Sequence, residues 1–154
     1  MEQRINLYDK GQKAMQALLA FGKRVNSGSI DEHLLNLVAL RVSQINGCAF
    51  CLDMHSKDLR AKGDTEQRLY GLNAWREAPY YSDRERAALA WAEAVTTLEG
   101  HVPDEVYDTV REQFSETELI DLTMGVIGTN LWNRINVAFR TPAGSYQPGQ
   151  FATA

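Results

Sequence analysis

The residues of this chain that could act together chemically are two cysteines and a histidine. Cys48 and Cys51 are the only cysteines, and His55 follows the second one by four residues. On a helix, residues three and four positions apart share a face, so Cys48 would neighbour Cys51 and Cys51 would neighbour His55. This spacing predicts a thiol redox pair with an imidazole as its base or hydrogen-bond partner.

The position of Cys48 favours an ionised thiol. Cys48 directly follows Asn46-Gly47, a dipeptide that marks turns, so we predict that it lies in the first turn of a new helix. Unpaired N–H groups and the helix dipole stabilise negative charge there, and they can lower a cysteine pKa from about 8.5 to between roughly 3.5 and 7.5. Cys48 is therefore predicted to be the more acidic thiol, while the identity of the attacking cysteine stays open.

Such a pair could reduce a peroxide. Attack by one thiolate leaves a sulfenic acid on that cysteine, and the other cysteine is close enough to condense with it into a disulfide. An external dithiol would then restore both thiols by exchange. The predicted chemistry is therefore a cycle between a dithiol and a disulfide.

Three other interpretations fit the same residues. Cysteine and histidine bind zinc, but Cys48 and His55 are seven residues apart, about 10.5 Å of helical rise, which is awkward for a shared tetrahedral ion. Inert, packed thiols are typical of isolated cysteines rather than of a C-x-x-C pair after a helix-starting turn. A thioredoxin-like module would need βαβ units around the motif, and the sequence indicates no strands.

The rest of the sequence predicts an all-α protein, because apolar residues recur at helical spacing and no segment alternates like a strand. We expect helices from about Asp9 to Val25, from Asp31 to Asn46, and from Cys48 to about Lys62, where Gly63 ends the third. Capping boxes predict three further helix starts, at Asp64-x-x-Gln67, Ser82-x-x-Glu85 and Ser115-x-x-Glu118. Pro103 is expected in the first turn of another helix.

The length of 154 residues and the hydrophobic content of 44% predict one domain over residues 1–154, with its core at about 30–140 and an irregular tail at 141–154. A shift of 85 residues places Cys48 and Cys51 opposite Asn133 and Asn136. This weak internal duplication would describe two similar helical units, although two amphipathic helices can also align by chance.

Composition excludes some classes of partner. A net charge of −4 without clustered lysine and arginine disfavours nucleic acid and anionic membranes. The most apolar stretch, residues 119–139, is interrupted by charged and amide side chains, so we predict a buried helix and no membrane partner. The N-terminus shows no secretory signal, which predicts a cytoplasmic protein; in that reducing compartment a C-x-x-C pair is typically catalytic or metal-binding.

A longer pattern surrounds the cysteines. It consists of Leu40-Arg41-x-Ser43-Gln44-Ile45-Asn46-Gly47-Cys48-x-x-Cys51-x-x-x-His55, then Lys57-Asp58, then Ser82-x-Arg84-Glu85-x-Ala87-Ala88-Leu89-Ala90-Trp91. The pattern closely resembles the AhpD-like alkylhydroperoxidases of the carboxymuconolactone decarboxylase superfamily, over roughly residues 30 to 140. The resemblance implies an all-α orthogonal helical bundle with an internal duplication, assembled as a homo-oligomer, either a trimer or a hexamer.

The resemblance also implies an activity. Small organic hydroperoxides would be reduced by Cys48 and Cys51, with His55 as the proton-transfer partner and with no bound cofactor or metal. A dithiol electron donor protein, of lipoyl type or another kind, would regenerate the pair. Superfamily members that act as decarboxylases lack the two cysteines, so decarboxylation is not expected.

One position departs from the family pattern. The family has a glutamate twelve residues before the first cysteine as the terminal proton acceptor of a relay, and this chain has Asn36 there. Asparagine holds a hydrogen bond but takes no proton at neutral pH. Glu32, one turn earlier, could replace it if its side chain reaches inward, although a solvated carboxylate is also typical of a helix start. The departure favours an alternative function, a non-enzymatic redox-responsive or interaction protein whose disulfide alters packing or partner binding.

Overall fold

A computed structural model describes residues 2–151, which form an all-α bundle, as predicted. This part contains eight α-helices, one short 3₁₀ turn and no strand. The helices are α1 (Leu7–Lys10), α2 (Gln12–Asn26), α3 (Glu32–Asn46), α4 (Ala49–Ala61), α5 (Glu66–Tyr70), α6 (Asp83–Thr97), α7 (Asp104–Gln113) and α8 (Glu116–Phe139), and the 3₁₀ turn is Leu72–Ala74. Residues 141–151 form no regular element, and the last three residues of the predicted tail lie outside the described residues.

Side-chain caps start the helices that position the site. The carboxylate of Asp31 accepts a hydrogen bond from the backbone N–H of Leu34 at the start of α3. The two serine capping boxes are confirmed: the Ser82 and Ser115 hydroxyls accept from the third helical N–H, and Glu85 and Glu118 accept from the serine N–H. These caps satisfy backbone donors that would otherwise be unpaired.

The predicted capping box at Asp64 is wrong. Thr65 caps α5 by accepting from the N–H of Arg68, while the buried carboxylate of Asp64 binds the Arg68 guanidinium and the His33 ring. A charged partner outcompetes a backbone N–H for this carboxylate because charge-assisted hydrogen bonds are the stronger ones.

Two other helix boundaries also differ from expectation. The helix expected from Asp9 to Val25 is divided at Gly11, because glycine is a poor helix former and the backbone there ends α1 and caps α2. Pro103 is the residue before α7, one position earlier than expected.

Helix α3 lies at the centre of the core because it is apolar on opposite sides. Leu34, Val38 and Val42 pack with buried residues of α6, α7 and α8. Leu37 and Leu40 belong to a second cluster with Leu59 of α4 and the residues around the 3₁₀ turn. Since α3 contacts both clusters, it fixes α4 relative to α8, and these two helices carry the cysteines and the residues opposite them.

The two segments that the offset of 85 residues aligns differ in continuity. Gly47 interrupts the first segment between α3 and α4, with a left-handed φ of 66° that favours glycine. The equivalent part of the second segment lies inside α8, which continues without a break from Glu116 to Phe139. Between residues 2 and 151 we find no helix with the length and apolar character needed to cross a membrane.

Candidate functional site

The turn between α3 and α4 brings the two cysteines together. Gly47 ends α3 in the left-handed conformation, and Cys48 takes the extended N-cap position of α4, one residue earlier than the predicted first turn. The backbone N–H of Cys48 donates to the carbonyl of Ser43 at 3.1 Å, which holds the turn in place. Cys48 and Cys51 form a disulfide, with Cα atoms 5.3 Å apart.

The N-cap position gives Cys48 a backbone donor. The N–H of Cys51 donates to Cys48 Sγ at 3.3 Å, as it would to the oxygen of a serine or aspartate cap. After reduction of the disulfide, the same N–H and the helix dipole would stabilise a Cys48 thiolate. The predicted order of the two thiol pKa values stays a prediction, because both sulfurs are bonded in this state.

A cavity of about 850 Å³ lies beside the disulfide, between α2, α3, α4, α8 and the end of the tail. We call it the cysteine cavity. Both cysteines are 1% exposed, but among the described residues that line the cavity only Cys51 is a cysteine. A ligand in the cavity would therefore meet Cys51 rather than Cys48.

The walls of the cysteine cavity are mainly apolar near the disulfide. Apolar and aromatic side chains from four helices form them: Leu19, Leu35, Phe50, Met54 and Trp132. Gly125 of α8 also lines the cavity, and a Cβ atom at this position would lie 2.8 Å from Leu35 Cδ2. Such walls suit an uncharged organic ligand, because a charged group would lose its hydration there.

His55 lines the same cavity and contacts Asn36. Its Nδ1 lies 3.0 Å from Asn36 Oδ1, and Asn36 Nδ2 donates to the backbone carbonyl of Glu32 at 2.9 Å. Since the amide nitrogen is used for the carbonyl, the amide oxygen must accept from the ring. Nδ1 of His55 therefore carries the proton, and Nε2 is the nitrogen that can accept one.

Burial makes His55 a weak base. Desolvation lowers the pKa of its ring from 6.5 to about 4, so the ring is neutral at pH 7. Among the described residues, no hydrogen bond joins this ring to the sulfur of Cys48 or Cys51. The predicted proton transfer between sulfur and imidazole therefore stays a prediction, and it would need a water molecule or a side-chain movement.

Glu32 lies at the outer end of the cysteine cavity. Its side chain is 69% exposed and pairs with Lys62, the residue that follows α4, and only its backbone carbonyl contacts Asn36. This arrangement is that of a solvated carboxylate at a helix start. The proposed replacement of the family glutamate by Glu32 therefore has no direct contact to support it.

A second carboxylate at this end was not among the predicted site residues. Asp58 lines the cavity, and the hydroxyl of Tyr146 donates to both of its carboxylate oxygens, at 2.9 and 3.1 Å. Desolvation raises the pKa of Asp58. The sequence offered no signal for this contact, because Tyr146 belongs to the irregular tail, 88 residues further along the chain.

Asn136 is the second residue that sequence reasoning missed. Its Nδ2 donates to Cys51 Sγ at 3.5 Å, from the last turns of α8. The shift of 85 residues aligns Asn136 with Cys51 as equivalent positions of the sequence. Equivalent positions need not be in contact, so the alignment did not predict this hydrogen bond.

A buried amide network fixes α8 against α3 one turn before Asn136. Asn133 is fully buried; its Nδ2 donates to Ser43 Oγ at 3.0 Å, and its Oδ1 accepts from Asn46 Nδ2 at 3.0 Å. Asn46 also donates to Asn130 Oδ1 at 2.9 Å. Since Ser43 and Asn46 lie in the last turn of α3, directly before Gly47, the network also fixes the turn that carries the disulfide.

Comparison with known proteins shows which family has this arrangement. The model of the carboxymuconolactone decarboxylase family matches residues 12–94, more than half of the chain. The chain belongs to this family. The uncharacterized protein YdfG of Bacillus subtilis is 42% identical over 146 residues, which are 94% of this chain and 99% of YdfG. The uncharacterized protein YnjA of Escherichia coli is 32% identical over 114 residues, 74% of this chain and 63% of YnjA.

A solved structure shows which branch of the carboxymuconolactone decarboxylase family is similar. A protein of unknown function from Agrobacterium tumefaciens, assigned as a candidate antioxidant defence protein AhpD, has a TM-score of 0.90 and 39% identity, covering 94% of this chain and 100% of that one. The chain is thus an AhpD-like member of the family, as the sequence predicted. The catalytic roles of Cys48, Cys51, His55, Asn36 and Glu32 stay predictions.

A metal-binding interpretation has little support in the described residues. Between residues 2 and 151, no three histidine, cysteine, aspartate or glutamate side chains gather as they would around an ion. The ring of His55 is directed to Asn36 rather than to the sulfurs.

Proposed function

We propose that this protein reduces small organic hydroperoxides with its Cys48–Cys51 pair and that an external dithiol regenerates the pair. The observation that carries the proposal is the disulfide whose second sulfur lines an apolar cavity of about 850 Å³ together with His55. Family membership supports a redox role for a cysteine pair at this spacing.

The lining of the cavity favours Cys51 as the attacking sulfur. In the proposed cycle the Cys51 thiolate attacks one oxygen of the hydroperoxide, the O–O bond breaks, and the other oxygen leaves with a proton as an alcohol. Cys51 becomes a sulfenic acid, and the Cys48 thiolate displaces its oxygen as water to form the disulfide. The two electrons that reduce the peroxide therefore come from the two sulfurs.

Regeneration uses the other property of the pair. A donor dithiol attacks Cys51, Cys48 leaves as a thiolate, and the second donor thiol then releases Cys51, so that the donor becomes the disulfide. A thiolate held by a backbone N–H is a good leaving group because exchange is faster when the departing thiol is more acidic. The N–H of Cys51 that points at Cys48 Sγ supports this role. A lipoyl-type dithiol is the donor we propose to test.

The activity is tested by following cumene hydroperoxide in the presence of dihydrolipoamide. We expect steady consumption by the wild type and none above background with the Cys48→Ser, Cys51→Ser double variant. The single variants, assayed without dihydrolipoamide, test the order of attack: Cys48→Ser should release one equivalent of alcohol and retain a sulfenic acid that dimedone traps, whereas Cys51→Ser should release none. Equal consumption by wild type and double variant would exclude the proposal.

A second candidate function has its own observation. His55 is neutral, contacts Asn36 instead of a carboxylate, and makes no hydrogen bond to either sulfur within residues 2–151. A cysteine pair could instead oxidise slowly, without turnover, and its disulfide would alter packing or partner binding. Such a function would need no stronger base than the neutral His55 ring. A reversible disulfide with negligible peroxide turnover would decide for this function.

Self-association belongs to the same proposal. Three apolar side chains of α8 at helical spacing are exposed in the single chain: Ile120, Met124 and Ile127, at 60%, 40% and 43%. Exposed apolar stripes of this kind are typical of interfaces, and the family likeness suggests a trimer or hexamer. Sedimentation of the protein at micromolar concentration would distinguish these states from a monomer.

A further inference from the structure

The sulfur that lines the cysteine cavity has a side-chain donor of its own. Asn136 Nδ2 donates to Cys51 Sγ at 3.5 Å, and Asn136 itself lines the cavity. No other hydrogen bond to this sulfur is present among residues 2–151. A sulfur accepts hydrogen bonds and an amide nitrogen only donates, so the amide presents its N–H₂ group to the sulfur.

We propose that Asn136 stabilises the Cys51 thiolate in the reduced protein and thereby makes Cys51 reactive. The proposal rests on the proposed function, because it assigns a catalytic residue to that reaction. It adds no redox step: the amide acts on the ground state that precedes attack, and it keeps its own protons.

Three other groups that could stabilise negative charge around the cysteine cavity are already directed elsewhere. The positive end of α4 is directed at Cys48, which occupies the N-cap. The ring of His55 donates to Asn36, and Lys62 is paired with Glu32. A thiolate that is buried and unpaired has its pKa raised by desolvation, so a donor is needed if Cys51 is to ionise near neutral pH.

The fold fixes this donor. Asn133, one turn before Asn136 on α8, is bonded to Ser43 and Asn46 in the last turn of α3, directly before the turn that positions the cysteines. The amide and the sulfur are therefore anchored to the same buried network, so the donor is held in place before the thiolate forms. A donor held in advance stabilises charge without the cost of reorientation.

The experiment measures the thiol pKa of Cys51 directly. In a Cys48→Ser background, which leaves one thiol and retains an oxygen cap, the rate of alkylation by iodoacetamide is followed from pH 5 to 10. We expect Asn136→Leu to raise the pKa by about one unit, a tenfold loss of rate at a pH below both values. Asn136→Asp, which is nearly isosteric, should raise it further because a carboxylate repels the thiolate.

Two further measurements make the test specific. Val137→Ala, at an exposed neighbouring position of α8, controls for general disturbance of the helix and should leave the pKa unchanged. Thermal unfolding shows whether each variant is folded. If Asn136→Leu fails to fold, the Cys51 pKa measured in Asn136→Asp tests the proposal instead. With the native Cys48, the pH profile of peroxide turnover should shift by the same amount as the alkylation profile.

The outcomes separate this proposal from the proposed function. An unchanged Cys51 pKa in both Asn136 variants overturns the role of Asn136, whether or not the protein reduces peroxide. A raised pKa in a protein without peroxide turnover supports the donor role while excluding the peroxidase. Equal pKa shifts in Asn136→Leu and Val137→Ala would show a structural effect alone and would also overturn the proposal.

Discussion

At its N-terminal end, helix α4 is held by the turn at Gly47 and by the buried amide of Asn133, which bonds Ser43 and Asn46 and so connects α3 to α8. Further along, α4 is held by residues 144–151 of the tail. Lys57 donates to the carbonyl of Gly144 at 3.2 Å, at the surface, and to the carbonyl of Tyr146 at 3.0 Å, where it is partly buried. When a buried hydrogen bond breaks, its donor and acceptor are left without a partner, whereas at the surface water takes the place of the lost partner. We therefore expect the disulfide end of the cysteine cavity to be rigid and the tail end to open.

Replacing Asn133 by leucine should have the largest effect. The variant keeps the number and branching of the side-chain heavy atoms but leaves the buried Ser43 hydroxyl and one Asn46 proton without these partners. We expect a loss of about 2 to 4 kcal/mol in the free energy of unfolding, measured with urea. Arg134→Ala, at the next and exposed position, should change it by no more than about 0.5 kcal/mol. If Asn133→Leu lowered the free energy of unfolding by much less than expected, the expectation that the disulfide end of the cysteine cavity is rigid would be contradicted.

His55 lies between the two ends and predicts a pH dependence. Its pKa is about 4 in the folded protein against 6.5 as the ordinary value. Between these values the unfolded chain binds a proton that the folded chain does not, so stability should fall as the pH falls from 6.5 towards 4. The full loss is at most about 3 kcal/mol.

The measurement compares urea unfolding of the wild type and His55→Gln from pH 7 to 4.5. The variant should show a flatter curve in this range. Glu118, whose pKa is lowered to about 2 by hydrogen bonds from Ser115 and by Arg84, loses its contribution only at lower pH. Parallel curves for the two proteins would show that the ring takes up its proton equally in both states.

Asn36→Glu should restore a stronger base. The carboxylate would accept from Nδ1–H of His55 and stabilise the charged ring, raising the His55 pKa by roughly one to three units. We expect about a tenfold gain in peroxide turnover at neutral pH if proton transfer limits the rate. Asn36→Gln has the same length without the charge and serves as the matched control. An unchanged rate in Asn36→Glu would show that another group already fills this role.

The disulfide end of the cysteine cavity was also the part of the site that could be predicted from the sequence. Helix spacing and the Gly47 break are local properties, so the sequence predicted the Cys48–Cys51 pair and the start of α4 within one residue. The capping boxes at Ser82 and Ser115 were predictable for the same reason. Each of these features depends on residues within about one turn of each other.

The contacts that complete the site were not predictable in this way. Asn136 reaches Cys51 from 85 residues away, and Tyr146 reaches Asp58 from 88. Such pairs depend on how α8 and the tail pack against α4, which no spacing rule specifies. Asp64 failed as a cap because its carboxylate binds Arg68, four residues later, and His33, 31 residues earlier in the chain. A local capping rule is overruled where other side chains compete for the same carboxylate.

Tyr146→Phe should have the smallest effect on stability and the most local one. The variant removes the donor to Asp58 and leaves the buried ring in place. We expect a loss of no more than about 1 kcal/mol in global unfolding, because breaking this contact frees the tail without exposing the core. Hydrogen exchange should become several-fold faster at the N–H of Gly144, which donates to Asp53.

The comparison between the two ends of α4 decides how this result is interpreted. Protection of the Leu52 N–H, which donates to the Cys48 carbonyl in the first turn, should stay unchanged in Tyr146→Phe. Tyr70→Phe removes a hydroxyl that donates to Glu66 at the surface and is the matched control. If the Gly144 and Leu52 amides exchanged faster together, α4 and the tail would open as one unit. Access to Cys51 would then require movement of the disulfide end, because the tail would no longer open independently.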